Sequence, residues 1–155
     1  MKNKLLTLLL LLSAISTYAF VSDTIDQKYV QLFQTSFPKA QTVIWQEYPE
    51  TVGVTFTDAA IESRILYARD DSFIRLTRYY NEMTMPYHFK HIVASRYQGK
   101  KIIGVNEVSN ISKDGGVDVC YYLIMEDARN SWMIKMDANG TSEAVEKFKK
   151  NTSTK

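Results

Sequence analysis

Residues 51–80, TVGVTFTDAAIESRILYARDDSFIRLTRYY, contain the pattern that decides the fold. Apolar and polar side chains alternate along three segments of this stretch, and a period of two is typical of strands that bury one face. The three segments are 51–58, 61–69 and 72–80. Asp70-Asp71 is a turn signal between the last two. Together with a further segment at 41–48, they predict an antiparallel meander of four strands.

An amphipathic helix is predicted immediately before this meander, over residues 23–37. Its apolar side chains recur at spacings of three and four residues. They are Ile25, Tyr29, Leu32, Phe33 and Phe37. Asp23 or Thr24 can cap the start of the helix. Pro38 disfavours a helical conformation of the residue before it, so we expect the helix to end there.

The second half of the chain shows the same pattern. Adding sixty to each apolar helix position gives five residues that are again apolar or aromatic. They are Met85, Phe89, Ile92, Val93 and Tyr97. The same offset matches the first strand of each half, where Val43 and Trp45 correspond to Ile103 and Val105. A second helix therefore opens the second half.

The later strands match with an offset of 69 residues. The matched pairs are Val52/Tyr121, Val54/Leu123, Phe56/Met125, Ile65/Ile134 and Tyr67/Met136. The additional residues are expected in an enlarged hairpin loop around Ser109–Gly116, where Asp114-Gly115-Gly116 is a turn signal. The ordered set of matches favours an internal duplication over chance.

The second meander is predicted to have four strands as well. Its first three segments are 101–108, 117–126 and 130–137. The last, at 141–149, has helical propensity, whereas the repeat makes it a strand; strand is preferred and helix stays open. The predicted fold is α+β, with two tandem repeats of one helix packed on a four-stranded antiparallel meander. The repeats span 20–84 and 85–150, and a polar tail at 151–155 is expected to be disordered.

The first nineteen residues, MKNKLLTLLLLLSAISTYA, differ in kind from the rest. Two lysines precede a run of leucines, and Thr17 and Ala19 place small residues where a signal peptidase reads them. A membrane anchor is the alternative, but the apolar run is about half of the ~20 residues that span a bilayer. We therefore predict a signal peptide over 1–19, cleaved after Ala19. Export to the periplasm or the extracellular space, without membrane insertion, follows.

The charge of the chain argues against one class of protein, and its cysteine content argues against an internal disulfide. The chain has 19 basic and 17 acidic side chains, and two of the basic ones lie in the leader, so the remainder is neutral. Neutrality argues against a nucleic-acid binder, which needs clustered positive charge. Cys120 is the only cysteine and cannot form an internal disulfide. Since it lies in the strand-forming run 117–125, we expect a packed small hydrophobic side chain rather than a nucleophile.

No pattern of catalytic, metal-ligating or cofactor-binding residues stands out. His88 and His91 are the only histidines, and they lie off the apolar face of the second helix. We interpret them as solvated, because a stable zinc site usually needs three or four protein ligands. Residues 137–140 begin like a calcium loop, but Ser142 and Phe148 stand where its glycine and glutamate are required. We therefore predict a protein that is not an enzyme and holds no metal or cofactor.

The most informative surface signal lies in segment 72–80. Ile74, Leu76 and Tyr80 fall on one side of the predicted strand. The other side carries Phe73, Arg75, Thr77 and Tyr79. Aromatic side chains together with arginine are enriched at protein-binding surfaces. The alternative is that both sides are covered. The predicted partner-binding residues are Tyr48, Phe73, Arg75, Tyr79 and Tyr122.

Two stretches resemble a known family. They are Phe33-x3-Phe37-Pro38-x-Ala40-x2-Val43-x-Trp45, and Met85-Pro86 opening a second helix that ends near Tyr97. They resemble the PepSY-like, β-lactamase-inhibitor-like proteins exported by Bacteroidetes-type bacteria, over about 29–140. The resemblance implies that the two sheets join into one curved antiparallel sheet. It also implies that the helices pack on the convex face and that the concave face is open to a partner protein. The family offers no catalytic residues to carry over.

These observations favour an exported, non-enzymatic binding protein. It would present its concave sheet to another exported or envelope protein, as an inhibitor or an envelope-assembly factor. The alternative is a small-ligand or envelope-stress sensing module that holds an apolar ligand in a cleft between helix and sheet. An enzyme is the third possibility.

The leader gives a first prediction. We expect the exported protein to begin at Phe20, because Thr17 and Ala19 are the small residues that the peptidase requires. Edman sequencing of the exported protein measures this directly. An intact Met1 on exported material would contradict the proposed cleavage.

Overall fold

The computed structural model describes residues 25–112 and 115–149. The predicted signal peptide over 1–19 and the tail over 151–155 lie outside these residues. The described helices and strands follow one another as α1 (Gln27–Ser36), β1 (Gln41–Glu47), β2 (Thr51–Asp58), β3 (Ile61–Ala68), β4 (Phe73–Tyr80), α2 (Tyr87–Arg96), β5 (Lys101–Ile111), β6 (Val117–Glu126), β7 (Asn130–Asp137) and β8 (Ser142–Lys149). Among the residues that the structure describes, neither helix is long and apolar enough to cross a membrane.

All eight described strands form one antiparallel sheet, in which they lie side by side in chain order. The sheet is curved. It is also open, since β1 and β8 are its edges and do not pair with each other. Its two halves meet where β4 pairs with β5, with Leu76 opposite Ser109 and Tyr80 opposite Val105. The α+β class that the sequence predicts is therefore confirmed, and so is the strand assignment of 142–149.

Helix α1 starts later than predicted. Asp26 is its N-cap, and the Asp26 carboxylate accepts a hydrogen bond from the backbone N–H of Lys28 at 3.0 Å. At the other end the Phe37 N–H donates to the Phe33 carbonyl at 2.8 Å, and the helix stops before Pro38 as expected. The prediction that Leu32 belongs to the apolar face is wrong, since it is 42% exposed. Val30 is buried instead, and it lies on the flank of the Tyr29/Phe33 stripe that is opposite to Leu32.

Helix α2 begins at Tyr87, and Pro86 is its N-cap residue. Phe89 and Val93 are its buried side chains, as the pattern predicts. His88 and His91 are both exposed, which confirms their predicted place off the apolar face.

Two hydrophobic cores lie side by side on the same face of the sheet, one beneath each helix. The first is built around Phe33, whose ring centroid lies 5.6 Å from that of Trp45 and 4.9 Å from that of Phe56, both edge to face. The second surrounds Phe89, whose ring lies 4.9 Å from that of Tyr121. Its fully buried members include Val105, Leu123, Met125 and Met136. Aromatic and aliphatic packing, without a disulfide among the described residues, closes both cores.

Most positions matched between the halves are buried in both. The pairs Tyr29/Phe89, Phe33/Val93, Val54/Leu123 and Ile65/Ile134 are examples. The match of Val43 with Ile103 fails as well as that of Leu32 with Ile92, since Ile103 is 39% exposed whereas its neighbour Ile102 is buried. The register of β5 against β6 shifts between Ile102 and Gly104, and this bulge reverses the alternation at that point.

Most of the additional residues of the second half lengthen the strands of a hairpin, and fewer enlarge its loop, which covers 112–116 between β5 and β6 against 48–50 between β1 and β2. The prediction that β5 ends at Val108 is wrong, because Ser109, Asn110 and Ile111 continue the pairing with β6. Ser109 and Asn110 also pair with β4 on the other side. The longer hairpin therefore supplies part of the junction between the halves.

The first core gives a second prediction. Trp45→Ala should lower the free energy of unfolding by ~3–5 kcal/mol, the usual cost of truncating a large buried aromatic. Ile44→Ala is the matched control, because Ile44 is the preceding residue and is 60% exposed on the opposite face. We expect that control to cost about 0.5 kcal/mol or less. Urea denaturation of both variants measures the difference, and a loss below about 1 kcal/mol for Trp45→Ala would place this residue on the surface.

Candidate functional site

The sheet face opposite the helices is the candidate site, and we call it the open face. Along each strand, the side chains of the open face alternate with those of the two cores. The open-face side chains are all exposed or half-buried. Its main members are Ile44, Gln46, Thr55, Glu62, Arg64, Leu66, Arg75, Thr77, Tyr79, Asn106, Val108, Cys120, Tyr122, Ile124, Met133, Lys135 and Glu143. No described helix packs on this face, since the buried side chains of α1 and α2 belong to the cores on the other side.

Six open-face side chains form a line across the strands, which we call the tyrosine row. Direct cross-strand pairing joins them in the order Glu62, Tyr79, Asn106, Tyr122, Lys135 and Glu143, from β3 to β8. Neighbouring strands lie roughly 4.8 Å apart, so the row extends for about 24 Å. It crosses the junction of the two halves without interruption and brings the predicted residues Tyr79 and Tyr122 onto one surface.

Arg75 lies beside this row on the open face, as predicted. It is exposed, and its Nε donates a hydrogen bond to Oδ1 of Asn110 at 2.7 Å. Leu66 is its cross-strand neighbour on β3. The guanidinium is thus oriented by a side chain from the other half of the sheet.

The prediction that Phe73 shares this face is wrong. The register of β3 against β4 shifts between Leu66 and Tyr67, so that Leu66 opposes Arg75 whereas Tyr67 opposes Phe73. Ile74 is the extra residue of this bulge, and it moves Phe73 to the helix-covered side. There Phe73 is half-buried and packs against the first core.

Tyr48 reaches the open face from the end of β1. Its ring lies against Gly53, where an added Cβ would come within 3.2 Å of Tyr48 Cε2. Nη2 of Arg64 donates to the Tyr48 hydroxyl at 2.5 Å, and this hydroxyl donates in turn to Oε1 of Gln46. Arg69 fixes the following turn, since its Nη1 lies 2.7 Å from Oε1 of Glu47. These contacts hold Tyr48 at one margin of the face, away from the tyrosine row.

Arg78 lies on the other side of the sheet, at the junction of the two halves. Its Nη1 is 2.6 Å from Oε1 of Glu107, whose side chain is only 15% exposed. The Tyr80 hydroxyl donates to Oε2 of the same carboxylate at 3.1 Å. Burial, with a smaller contribution from Glu107, raises the pKa of Tyr80 to about 12. Arg78 therefore neutralises a largely buried acid and does not contribute to the open face.

A cleft of about 390 Å³ opens beside the tyrosine row, where strands from both halves end. Its lining residues are Thr57, Ala60, Glu62, Tyr79, Tyr80, Asn81 and Ile103. Of these, only Tyr79 is predicted from the sequence to be a site residue. Glu62 alternates in phase with Arg64 and could have been found in this way. Ile103 could not, because only the bulge in β5 exposes it.

Cys120 is half-buried on the open face, opposite Val108, so its packing is looser than predicted. Within the ranges 25–112 and 115–149, no three histidine, cysteine, aspartate or glutamate side chains are grouped so that they could hold a metal ion.

No protein-family model matches this sequence, and no curated protein is similar to it. Solved structures from Bacteroides species have a similar fold. A DUF2874 family protein from Bacteroides ovatus aligns with a TM-score of 0.60 over 82% of this chain and 89% of its own, at 11% identity. A BLIP-like protein from Bacteroides fragilis aligns with a TM-score of 0.59 over 84% and 91%, at 10% identity. A protein from Bacteroides eggerthii, provisionally described as periplasmic, aligns with a TM-score of 0.59 over 85% and 89%, at 12% identity.

At these identities the likeness is one of fold. It agrees with the β-lactamase-inhibitor-like part of the resemblance drawn from the sequence, and the PepSY-like part is not shown. The chain has the fold of the BLIP-like and DUF2874 proteins of Bacteroides.

The two arginines on opposite faces of β4 give a third prediction. Arg78→Met should lower the free energy of unfolding by ~1–3 kcal/mol, because it leaves the Glu107 carboxylate without its cation in a largely buried place. Arg75→Met is the matched control on the same strand, and we expect it to cost about 0.5 kcal/mol or less. Urea denaturation of both variants makes the comparison. Equal losses would contradict the assignment of the two arginines to different faces.

Proposed function

We propose that this chain is an exported, non-enzymatic binding protein whose open face docks another exported or envelope protein. One observation carries the proposal: a single sheet has two unlike faces. Its helix-covered face is closed by two cores, whereas its open face carries half-buried tyrosines and an exposed arginine that no described helix covers. Protein interfaces concentrate their binding energy in these residue types.

The open face is also suited to docking because its side chains stand on paired strands. Tyr79 and Tyr122 come from β4 and β6, each of which has a neighbour on both sides. Asn110 orients Arg75, and Arg64 orients Tyr48. Side chains that are already ordered lose little conformational entropy on binding, which favours affinity. Tyr48, Arg75, Tyr79 and Tyr122 are the partner-binding residues that we propose, and Phe73 is not among them.

We infer in addition that the two halves, 20–84 and 85–150, are two copies of one helix-plus-meander unit. The inference is supported by the order of the helices and strands and by the buried positions that the halves share. A duplicated unit whose edge strands pair gives a sheet twice as wide as one copy could offer. The open face is therefore wider than that of one unit, and its tyrosine row contains side chains from both halves.

The leader over 1–19 and the likeness to a protein provisionally described as periplasmic support export. The likeness to a BLIP-like protein supports a role as an inhibitor or an envelope-assembly factor rather than as an enzyme. The partner would then be met after translocation, in the periplasm or outside the cell.

The alternative is a module that senses a small apolar ligand between helix and sheet. The contacts beneath both helices argue against it, because Phe33 and Phe89 are nearly fully buried against the strands there. The cleft described above lies elsewhere, at the end of the open face, and polar side chains contribute much of its lining. A small molecule retained in native mass spectrometry of the purified protein would favour the alternative.

Capture of the partner tests the proposal. The exported protein is used as bait on envelope extracts of the source organism, and the captured protein is identified, purified and titrated. The double variant Tyr79→Ser/Tyr122→Ser should weaken binding of this partner by at least ~2 kcal/mol, about 30-fold in Kd, because a few aromatic side chains dominate such interfaces. Its melting temperature should barely change, since both side chains are partly solvated.

Two controls define the outcome. Tyr87→Ser changes a tyrosine that is 79% exposed on α2, so partner binding should persist. Leu76→Ser places a hydroxyl in the first core and should lower the melting temperature. The proposal fails if the double variant binds the partner as tightly as the unmodified protein, or if it unfolds as readily as Leu76→Ser.

A further inference from the structure

The cleft beside the tyrosine row carries a single charge. Glu62 is the only charged side chain among its lining residues, and it is exposed at the mouth of the cleft. Its neighbours in the row and across the strand are uncharged, with Tyr79 on one side and Thr57 on the other. An anionic group would be repelled here, whereas a cationic one would meet a carboxylate and an aromatic ring together.

Three cations of the neighbouring strands are already engaged elsewhere. Arg64 donates to the Tyr48 hydroxyl at 2.5 Å, and Arg78 pairs with Glu107 at 2.6 Å on the other face of the sheet. Lys101 pairs with Glu82 at 2.9 Å. No ion pair of Glu62 occurs within the described part of the chain. Its charge is therefore available to a group from outside.

The opposite end of the tyrosine row differs in this respect. Glu143 ends the row on β8, and its Oε1 lies 3.5 Å from Nζ of Lys135. The two carboxylates stand on the same face at corresponding places, but only one of them has a cation from the chain itself. Glu62 therefore differs from Glu143 in having no cation from the described part of the chain, and it differs from the other exposed acids of the open face in lining the cleft.

We propose that the cleft at Glu62 receives a lysine or arginine side chain of the partner protein docked on the open face. This inference rests on the proposed function and adds the chemistry of the partner at one point of contact. The cation would meet the Glu62 carboxylate while its alkyl stem packs on Tyr79 and Ile103. The cleft volume of about 390 Å³ lies within the range of roughly 300–1,000 Å³ in which small groups are bound. Because a guanidinium binds a carboxylate and stacks on aromatic rings, arginine fits both features of the cleft.

Small probes test the cleft without a partner. N-acetyl-arginine amide is titrated into the isotope-labelled protein and followed by amide NMR shifts, with N-acetyl-citrulline amide as its uncharged counterpart. We expect saturable shifts centred on Thr57, Glu62, Tyr79 and Asn81 with the arginine probe, and at least fivefold weaker binding of the citrulline probe. A fivefold change corresponds to about 1 kcal/mol, the upper end for an exposed ion pair.

Two variants then distinguish binding of the probe in the cleft from its general attraction to surface carboxylates. Glu62→Gln should weaken binding of the arginine probe about fivefold, whereas Glu143→Gln should leave it unchanged. Both side chains are exposed, so neither change threatens the fold. Equal binding of the two probes, or shifts spread over acidic side chains of the whole surface, would overturn the proposal.

The captured partner distinguishes a failure of this inference from a failure of the proposed function. If Tyr79→Ser/Tyr122→Ser weakens partner binding but Glu62→Gln does not, the open face binds the partner and the cleft does not receive a cation. If none of these changes affects partner binding, the docking surface itself is wrong. If Tyr79→Ser/Tyr122→Ser and Glu62→Gln each weaken partner binding, both proposals are supported.

Discussion

The pairing of β4 with β5 is the constraint on which the rest of the structure depends. Each half contributes a helix and four strands, and the pairing places Tyr80 beside Val105 and Leu76 beside Ser109. Backbone hydrogen bonds thereby remove two edge strands that would otherwise be open to pairing with other chains. Because side chains alternate strictly between faces, the same register that aligns the two cores on one side also aligns Tyr79 with Asn106 on the other. One register thus decides both the stability of the protein and the surface it presents.

Much of the fold follows from the sequence because most of its strands keep a regular alternation. Val52, Val54 and Phe56 point to one side without interruption, and β2 is where the prediction and the structure agree fully. Disagreement occurs where a bulge changes the phase. The bulge at Ile74 moves Phe73 to the helix side, and the one near Ile103 exposes a residue that the repeat places in the core. A bulge depends on how the neighbouring strand pairs, and the periodicity of a single strand does not contain that information.

The candidate site, like the fold, could be predicted where its strands keep a regular alternation. Arg75, Tyr79 and Tyr122 lie on the open face because they belong to regularly paired parts of their strands, outside the bulges. The cleft at Glu62 was missed, since it forms between the ends of strands that are far apart along the chain. The separate roles of the arginines were missed as well. Arg78 and Arg75 look alike in the sequence, and only the position of Glu107 on β5 shows that one of them compensates a largely buried acid.

The polar contacts of the open face would make the proposed docking surface selective. Arg64 is held by Tyr48, Arg75 by Asn110, and Lys135 by Glu143, so the cationic side chains of this face are ordered before any partner arrives. Long side chains lose roughly 0.5–1.5 kcal/mol of conformational freedom when an interface immobilises them, and prior ordering reduces that cost. Engaged cations also attract acidic surfaces less strongly, because their charge is already partly compensated. The carboxylate of Glu62, beside Tyr79 in the tyrosine row, has no ion pair within the described part of the chain and lines the cleft. A partner that offers an apolar surface with one basic side chain at its margin matches this arrangement, whereas an acidic partner leaves Glu62 facing a like charge.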